Sequence, residues 1–374
     1  MINNLHIIAF TIPYPANYGG VIDVFYKLKA LHQKGVKITL HCFQYDREPA
    51  IELEQFCDKV YYYPRKMVGM HMLGFHPFIV SSRKSEQLVE CLLKDDAPIL
   101  FEGLHTCFSI NDVRLKDRKK IVRSHNIEHD YYAALASIEK NTVKRLYFNT
   151  EAKKLKRFEA IAYKNADLVL GISQKDTDYL QAKYGNAQLV SAFHQFDEVI
   201  VPEKTMQFAF YHGNLSVGEN NDAALYLVNS VFAGSEFHLK IAGNQPSVAL
   251  KKACAKNPNI DLYENSTSAE ISDMLSVARV NVLPTFQSTG IKLKLLAALF
   301  NGGHCLVNSP MVIGTSLKKL VTITDSAETM KVALSELLKK EFPIEKVCLR
   351  KEGLVKFQNQ FTVNLLIKAL QDYF

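Results

Sequence analysis

Along the chain, short and almost wholly apolar runs alternate with longer stretches whose apolar positions recur at i, i+3 and i+4. The run LHIIAFT (Leu5–Thr11) predicts a buried strand. After it, Val21, Val24, Phe25, Leu28 and Leu31 share one helical face, and Gly35 stands where a left-handed residue would stop that helix. The runs VKITLHCF, KVYYYP, PILFEG, KKIVRSHN and DLVLGIS predict further strands. This succession is the rhythm of βαβ units, and hence of a parallel sheet. A second series begins at Met206 with MQFAFYHGN and continues through FHLKIAGN, IDLYEN, VNVLPT, HCLVN and VTITD. In its first helical stretch Ala224, Leu225, Val228, Val231 and Phe232 share a face.

The polar stretch QFDEVIVPEKT, with Pro202 inside it, reads as the linker between the series. The expected fold class is therefore α/β, with two Rossmann-like, doubly wound parallel-sheet domains at 1–200 and 205–345. An amphipathic helical segment at 346–374 is placed to pack back on the first domain. Tandem lobes of this kind imply a cleft that strand C-termini and helix N-termini face.

Composition narrows the picture. With 374 residues, 48% hydrophobic and 22% charged, the chain can bury two cores. No run approaches the ~18 apolar residues of a membrane span. MINNLHIIAFTIPYP lacks the basic flank of a signal peptide. Seven cysteines without a CxxC pair read as free thiols. A cytoplasmic location is expected, with peripheral contact at the inner face of the membrane left open. The net charge of +7 favours anionic partners. Without a nucleic-acid reading motif, nucleic acid is not expected among them.

The segment RSHNIEHDYY spells H-x-x-E-H, a zinc-protease pattern, through His125, Glu128 and His129. Two histidines four apart chelate one metal only from a shared helical face. His125 directly follows the strand pattern KKIVRS, before a helix can begin, so no metal is expected. A polar group at a strand's C-terminal end is instead where open α/β sheets bind ligands. His125 reads either as a reaction-centre residue or as a histidine satisfied at the domain edge.

Gly19 and Gly20 lie between the first strand and helix, either admitting an anion to backbone amides or simply turning the chain. Gly213 and Asn214 open the second series in the same way, with Ser216 or Asn220 as the helix cap. In LPTFQSTGIKLKLLAALFNGG, Thr289 and Gly290 turn the chain, and a helix starts near Lys292. Lys292 and Lys294 then oppose the dipole of its first turn, as cations serving a diphosphate would; the alternative is two solvated lysines. Asp176 in DTD pairs with Ser173 as a cap rather than with a metal. The basic stretch 138–164 carries Phe148, Ala152, Leu155, Phe158 and Ala162 on one face, either a surface helix or a membrane foot. Residues 63–83 mix bases with Met, Phe and Ile, and read either as a grip on a lipid-linked acceptor or as packed irregular structure.

Taken in order, P-x-P…GG-x-x-D, HNIEHDYY, ADLVLGIS, HGNLSVGENN and P…G-I-K-L-K resemble the group-1 (GT4-like) glycosyltransferases of GT-B fold. The resemblance covers most of the chain. It implies two Rossmann-like domains facing a cleft, the second holding a nucleotide-sugar donor and the first a glycan or lipid-linked acceptor. It also implies transfer in polysaccharide biosynthesis with retention, no obligatory metal and no other cofactor.

By position, His125 matches the catalytic histidine at the donor sugar. Gly19 and Gly20, with Asp23 of the same motif, match the acceptor and phosphate loop. Gly213, Asn214, Thr289, Gly290, Lys292 and Lys294 match donor-side positions, and Glu102, Asn126 and Glu128 are further cleft candidates. Two glutamates common in relatives are replaced, by Ser288 or Thr289 and by Ala297. The basic pair of the donor loop gives way to Asn214 and Asn220–Asn221. A nucleotide-sugar epimerase, or a non-catalytic sugar- or nucleotide-binding homologue, are the alternative readings.

Overall fold

A computed structural model of the chain describes residues 3–67, 74–201, 204–287 and 292–373. It divides into two compact units, one reaching Gln195 and resuming at Asn359, the other spanning Phe196 to Gln358.

In the first unit β1 (Asn4–Ala9), β2 (Lys37–Gln44), β3 (Lys59–Pro64), β4 (Ile99–Glu102), β5 (Lys120–Ser124), β6 (Leu168–Gly171) and β7 (Ala187–Leu189) form a parallel sheet ordered β3-β2-β1-β4-β5-β6-β7. Its central strands are buried on both faces, which is why they read as unbroken apolar runs rather than alternating ones. Around it pack α1 (Gly19–Gln33), α2 (Phe78–Ser81), α3 (Glu86–Leu92), α4 (Glu128–Ile138), α5 (Thr142–Lys164) and α6 (Gln174–Tyr184). Helix α1 buries Val21, Val24, Leu28 and Leu31 and ends ahead of Gly35, whose φ of 77° is the left-handed stop its sequence announces. Ser173 caps α6 by accepting the Asp176 N–H, the structural role read for DTD.

In the second unit β8 (Met206–His212), β9 (Leu239–Gly243), β10 (Ile260–Glu264), β11 (Ala278–Leu283), β12 (His304–Val307) and β13 (Thr322–Ile323) are ordered β10-β9-β8-β11-β12-β13. The flanking helices are α7 (Gly218–Tyr226), α8 (Val248–Ala255), α9 (Ser268–Val277), α10 (Leu293–Asn301), α11 (Ser309–Val312), α12 (Ala327–Leu338) and α13 (Ile344–Gly353). Counted within each unit, both sheets begin 3-2-1-4-5-6, the doubly wound Rossmann order.

The segment expected at 346–374 is shared out. Most of α13 falls in it and stays in the second unit, where its buried Arg350 donates to the carbonyls of Gly302 and Gly303. The last helix, α14 (Asn359–Asp372), belongs to the first unit. There Val363, Leu366, Ala369 and Leu370 join the core beneath α1, and Asn359 Nδ2 ties its start to the His194 carbonyl at 2.6 Å. Burying one such leucine contributes about 1.5–3 kcal/mol.

Two stretches weighed as lipid contacts give several of their apolar residues to packing, although Met67 and Phe75 of residues 63–83 are exposed. Leu155, Phe158 and Ala162 of α5 lie in the core, as do Ile79 and Val80 of α2; residues 68–73 lie outside the described residues. Among the described residues no helix is long and apolar enough to cross a membrane.

Candidate functional site

Each sheet has its switch point beside its first strand, where neighbouring connections leave in opposite directions and ligands bind. In the first unit this lies between β1 and β4, and the chain fills it with charge. Asp23 projects from the second turn of α1 and is 1% exposed. It accepts from Arg123 Nε at 3.2 Å and Nη2 at 3.0 Å, from Lys27 Nζ at 3.0 Å, and from the Phe193 N–H at 2.7 Å. Lys27 also donates to Glu102 Oε1 at 2.6 Å, and Glu102 Oε2 meets His125 Nε2 at 2.9 Å.

Burial pushes both carboxyls up in pKa, but the cations outweigh it. Arg123 and Lys27 hold Asp23 well below the usual carboxylate range, and Lys27 and the His125 contact hold Glu102 down. Asp23 has no capacity left for a phosphate or an acceptor. Its place in the glycine motif is that of an internal counterion, a correction to the loop role suggested for it.

Glu102 acts on His125. With the carboxylate accepting from Nε2–H, the remaining Nδ1 lies 3.9 Å from Asp23 Oδ2. The ring is packed edge-on against Phe10, with centroids 5.7 Å apart. Gly20 is the second residue of α1 rather than part of a free loop, and a Cβ there would meet the Phe10 ring at 2.7 Å. Its bareness thus serves the packing that seats His125. Gly19 opens the helix, and Tyr18 before it gives no side-chain cap. Gly103, beside Glu102, has a φ of 72°, and a Cβ there would meet His105 Nδ1 at 3.0 Å.

Ligand atoms of Asp23, Glu102 and His125 come within 4.8 Å of one another, a spacing that suits a metal. The Lys27 ammonium already bridges the two carboxylates, so a dication would have to expel it. The H-x-x-E-H residues do not converge either. His129 turns to Glu159 at 2.8 Å, which also accepts from Tyr179, Tyr184 and Lys183. Glu128 is buried at the start of α4, where burial and the Glu159 charge raise its pKa to about 8, so at neutral pH it is mainly a neutral acid. Asn126 is half-buried, its carbonyl accepting from Ser124 Oγ.

The second unit holds a different cluster. Lys292 is the N-cap residue of α10 and Lys294 its second residue, close to the register expected. Lys294 Nζ donates to Asn220 Oδ1 at 2.7 Å and lies 3.4 Å from the Tyr211 hydroxyl. Burial lowers its pKa to about 8, with Glu219 opposing the shift and Lys292 adding to it. Lys292 Nζ lies 3.2 Å from Glu219 Oε1, which also accepts from Thr285. Asn308 clamps Thr285 through its backbone N–H at 2.9 Å and its carbonyl at 2.7 Å.

Neither Ser216 nor Asn220 caps α7, whose N-cap position is Val217. Asn214 instead folds a turn by accepting from the Ser216 N–H and hydroxyl, while Asn220 Nδ2 donates to the Asn214 carbonyl at 3.0 Å. Gly213 leaves room for that amide, since a Cβ there would meet Asn220 Cγ at 3.1 Å. Thr289 and Gly290 lie outside the described residues.

Sequence reasoning missed Glu219, Tyr211 and Thr285 here, and Lys27 and Arg123 in the first unit. Signals existed for the last two. Lys27 sits i+4 from Asp23 on an otherwise apolar helix face, and Arg123 interrupts the apolar strand KIVRS. Glu219 had no such signal, because its partner Lys292 is remote in sequence.

No family model matches this sequence. An uncharacterized 44.6 kDa protein in the cps region of Klebsiella pneumoniae is 26% identical over 353 residues, 89% of this chain and 88% of that protein. Similar solved structures run the full length of the chain. Staphylococcus aureus TarM, solved with UDP, aligns with a TM-score of 0.67 at 9% identity, covering 98% of this chain and 99% of that one. WaaG, a glycosyltransferase involved in lipopolysaccharide biosynthesis, aligns at 0.60 and 12% identity over 96% of both chains. The fold is GT-B. Anabaena HepE, solved with UDP and glucose, shares this fold at a TM-score of 0.65 and 8% identity, over 98% of this chain and 99% of that one.

Proposed function

We propose that this GT-B protein is a glycosyltransferase of the group-1 (GT4-like) kind. It would move a hexosyl group from a nucleotide-sugar to a glycan or lipid-linked acceptor in polysaccharide biosynthesis, in the cytoplasm, with retention and without an obligatory metal. The observation that carries this reading is the lysine pair at the start of α10, held by Asn220, Glu219 and Tyr211. A departing diphosphate needs preorganised positive charge where its own charge develops. Two ammonium groups against one carboxylate leave a surplus cation there, at a helix N-terminus that adds partial positive charge. The nucleotides in the TarM and HepE structures, and the cps-region setting of the Klebsiella relative, support the same reading.

In the first unit, Glu102 aims the His125 ring and Lys27 keeps Glu102 ionised, so the imidazole is preorganised to contact a sugar hydroxyl. His125→Asn should lower kcat about 10²-fold or more. The decisive experiment incubates the protein with a panel of nucleotide sugars, with and without glycan acceptors, and follows products by mass spectrometry. Acceptor-dependent sugar transfer is expected. Donor conversion without acceptor would indicate the epimerase instead, and donor binding without turnover a non-catalytic homologue.

A further inference from the structure

Four neighbouring strands, β3, β2, β1 and β4, bring Arg65, Tyr45, Phe10 and His105 to their C-terminal ends, the last in the turn that follows β4. Arg83, just past α2, joins them. It donates Nε to the Phe10 carbonyl at 2.9 Å and Nη1 to the Ile79 carbonyl at 2.5 Å. The Arg83 and Arg65 guanidiniums both lie over the Tyr45 ring, 5.7 and 4.4 Å from its centroid. Arg65 also faces the Phe78 ring and donates Nε to Ser82 Oγ at 3.0 Å.

These cations lack a counter-charge. Arg83 is 3% exposed, yet among the described residues neither arginine is paired with a carboxylate. The charge that bears on Arg83 most is a second cation, Arg65, and with burial it lowers the Arg83 pKa to about 9. The acids of this region are engaged elsewhere. Asp46 accepts from Thr11 Oγ1 at 3.3 Å, and Glu151 accepts from the Phe78 N–H at 2.6 Å and pairs with Lys154 at 3.0 Å. Burying a charge without a partner is costly. Arg350 shows how the fold bears that cost for structure alone, with both of its Nη atoms spent on carbonyls. Arg83 differs, because its Nη2 donates to nothing among the described residues, and neither do the Nη atoms of Arg65. His105 is open as well, its Nδ1 wholly buried without a hydrogen-bond partner.

We infer that this strand edge is a subsite for a sugar that carries an oxyanion, a carboxylate or a phosphate, held by Arg83 and Arg65. Guanidinium forks match the paired oxygens of either group. Phe10, Phe78 and Tyr45, none of them fully buried, offer ring faces to the apolar side of a pyranose. That the sugar is the acceptor rests on the proposed function. A Cβ on Gly103 would lie 3.0 Å from His105 Nδ1 and 3.7 Å from His125 Cδ2, and the Phe10 ring packs against both imidazoles. The oxyanion is therefore placed about one sugar ring from the hydroxyl that His125 would contact, on the reacting sugar or its immediate neighbour. Residues 63–83 supply both arginines, and what these leave open suits an oxyanion rather than a lipid chain.

The test is saturation-transfer NMR on the full chain with methyl glucuronide, glucose 6-phosphate and methyl glucoside as probes. At least one acid should bind about ten-fold or more tightly than the neutral glucoside, and the acid that does so names the oxyanion. R65Q should lose that preference while keeping the wild-type melting curve and glucoside binding. R83K, which keeps the charge but not the fork, should lose part of it. Equal binding of all three probes would overturn the inference, as would an R65Q variant that prefers the acid as the wild type does. The transfer reading fails separately. Acid-selective binding with no transfer to any acceptor would remove the transferase and leave the subsite, whereas transfer to neutral acceptors as fast as to acidic ones would remove the subsite and leave the transferase.

Discussion

The two units share a strand order but use its switch point in opposite ways. In the first, two carboxylates (Asp23, Glu102) meet two cations (Lys27, Arg123) and the charges close on themselves around His125. In the second, Glu219 faces both Lys292 and Lys294, and one positive charge remains uncompensated. The same backbone edge can thus close its charges into an internal brace that aims one side chain, or keep a surplus cation, which under the proposed function is the seat of an anionic ligand. Charge arithmetic over a few residues separates the two uses.

The largest effect expected from breaking this contrast is on stability. Asp23→Ala would strip the buried Arg123 of its carboxylate and leave Lys27 with Glu102 alone, and breaking a buried ion network costs about 3–5 kcal/mol. Urea denaturation should show that loss, with nucleotide binding by the second unit unchanged. Because the folded Asp23 carboxyl lies below its unfolded value, its contribution is complete above the ordinary carboxylate pKa and is lost on acidification. D23A should therefore also lose part of the acid dependence of unfolding.

Glu128 works in the opposite direction and sharpens the picture of the first unit. Its folded pKa of about 8 lies above the ordinary 4.5, so the protonated form favours folding. That contribution is complete below about pH 4.5 and is lost as pH rises through 8, at about 1.4 kcal/mol per pH unit in between. Melting temperatures taken from pH 5 to 8.5 should fall less steeply in Glu128→Gln than in the wild type.

For the second unit the readout is affinity. On the proposed function, with UDP as the nucleotide tried, Lys294→Met should weaken its binding about 10–100-fold, the worth of one charge-assisted hydrogen bond. Burial puts the wild-type Lys294 pKa at about 8, so UDP affinity measured by calorimetry should decline as pH rises past 8, and that decline should be absent in K294M. Unchanged UDP affinity in K294M would break the contrast between brace and seat. The smallest effect belongs to Glu219→Gln, which removes the one counter-charge. UDP affinity should rise a few-fold, and a fall would mean that Glu219 itself holds the nucleotide or sugar.

Legibility in the sequence followed the range of the interactions. The paired series of strands, the stop at Gly35 and the Ser173 cap are set by neighbours within a few residues, and the structure repeats them. The start of α10 also lay close to where the spacing of its lysines suggested. Asp23 was misjudged because its motif position says nothing about Arg123, 100 residues away, which claims both of its oxygens. Gly20 was read as either an anion-admitting or a turn residue, and the close approach of the Phe10 ring, a tertiary contact, gives a reason for a glycine there that neither reading contained. Two carboxylates were noted as absent from 284–298, while Glu219 from another helix comes to the same lysines.

By itself the sequence determined two α/β units, the order of their elements and the identity of most polar groups at their strand ends. Periodicity and turn chemistry are local properties that survive without knowledge of the fold. The tertiary structure decided which of those polar groups are consumed by one another and which keep charge to spare. That outcome depends on burial and on ångström distances between residues far apart in the chain, quantities no spacing along the sequence encodes.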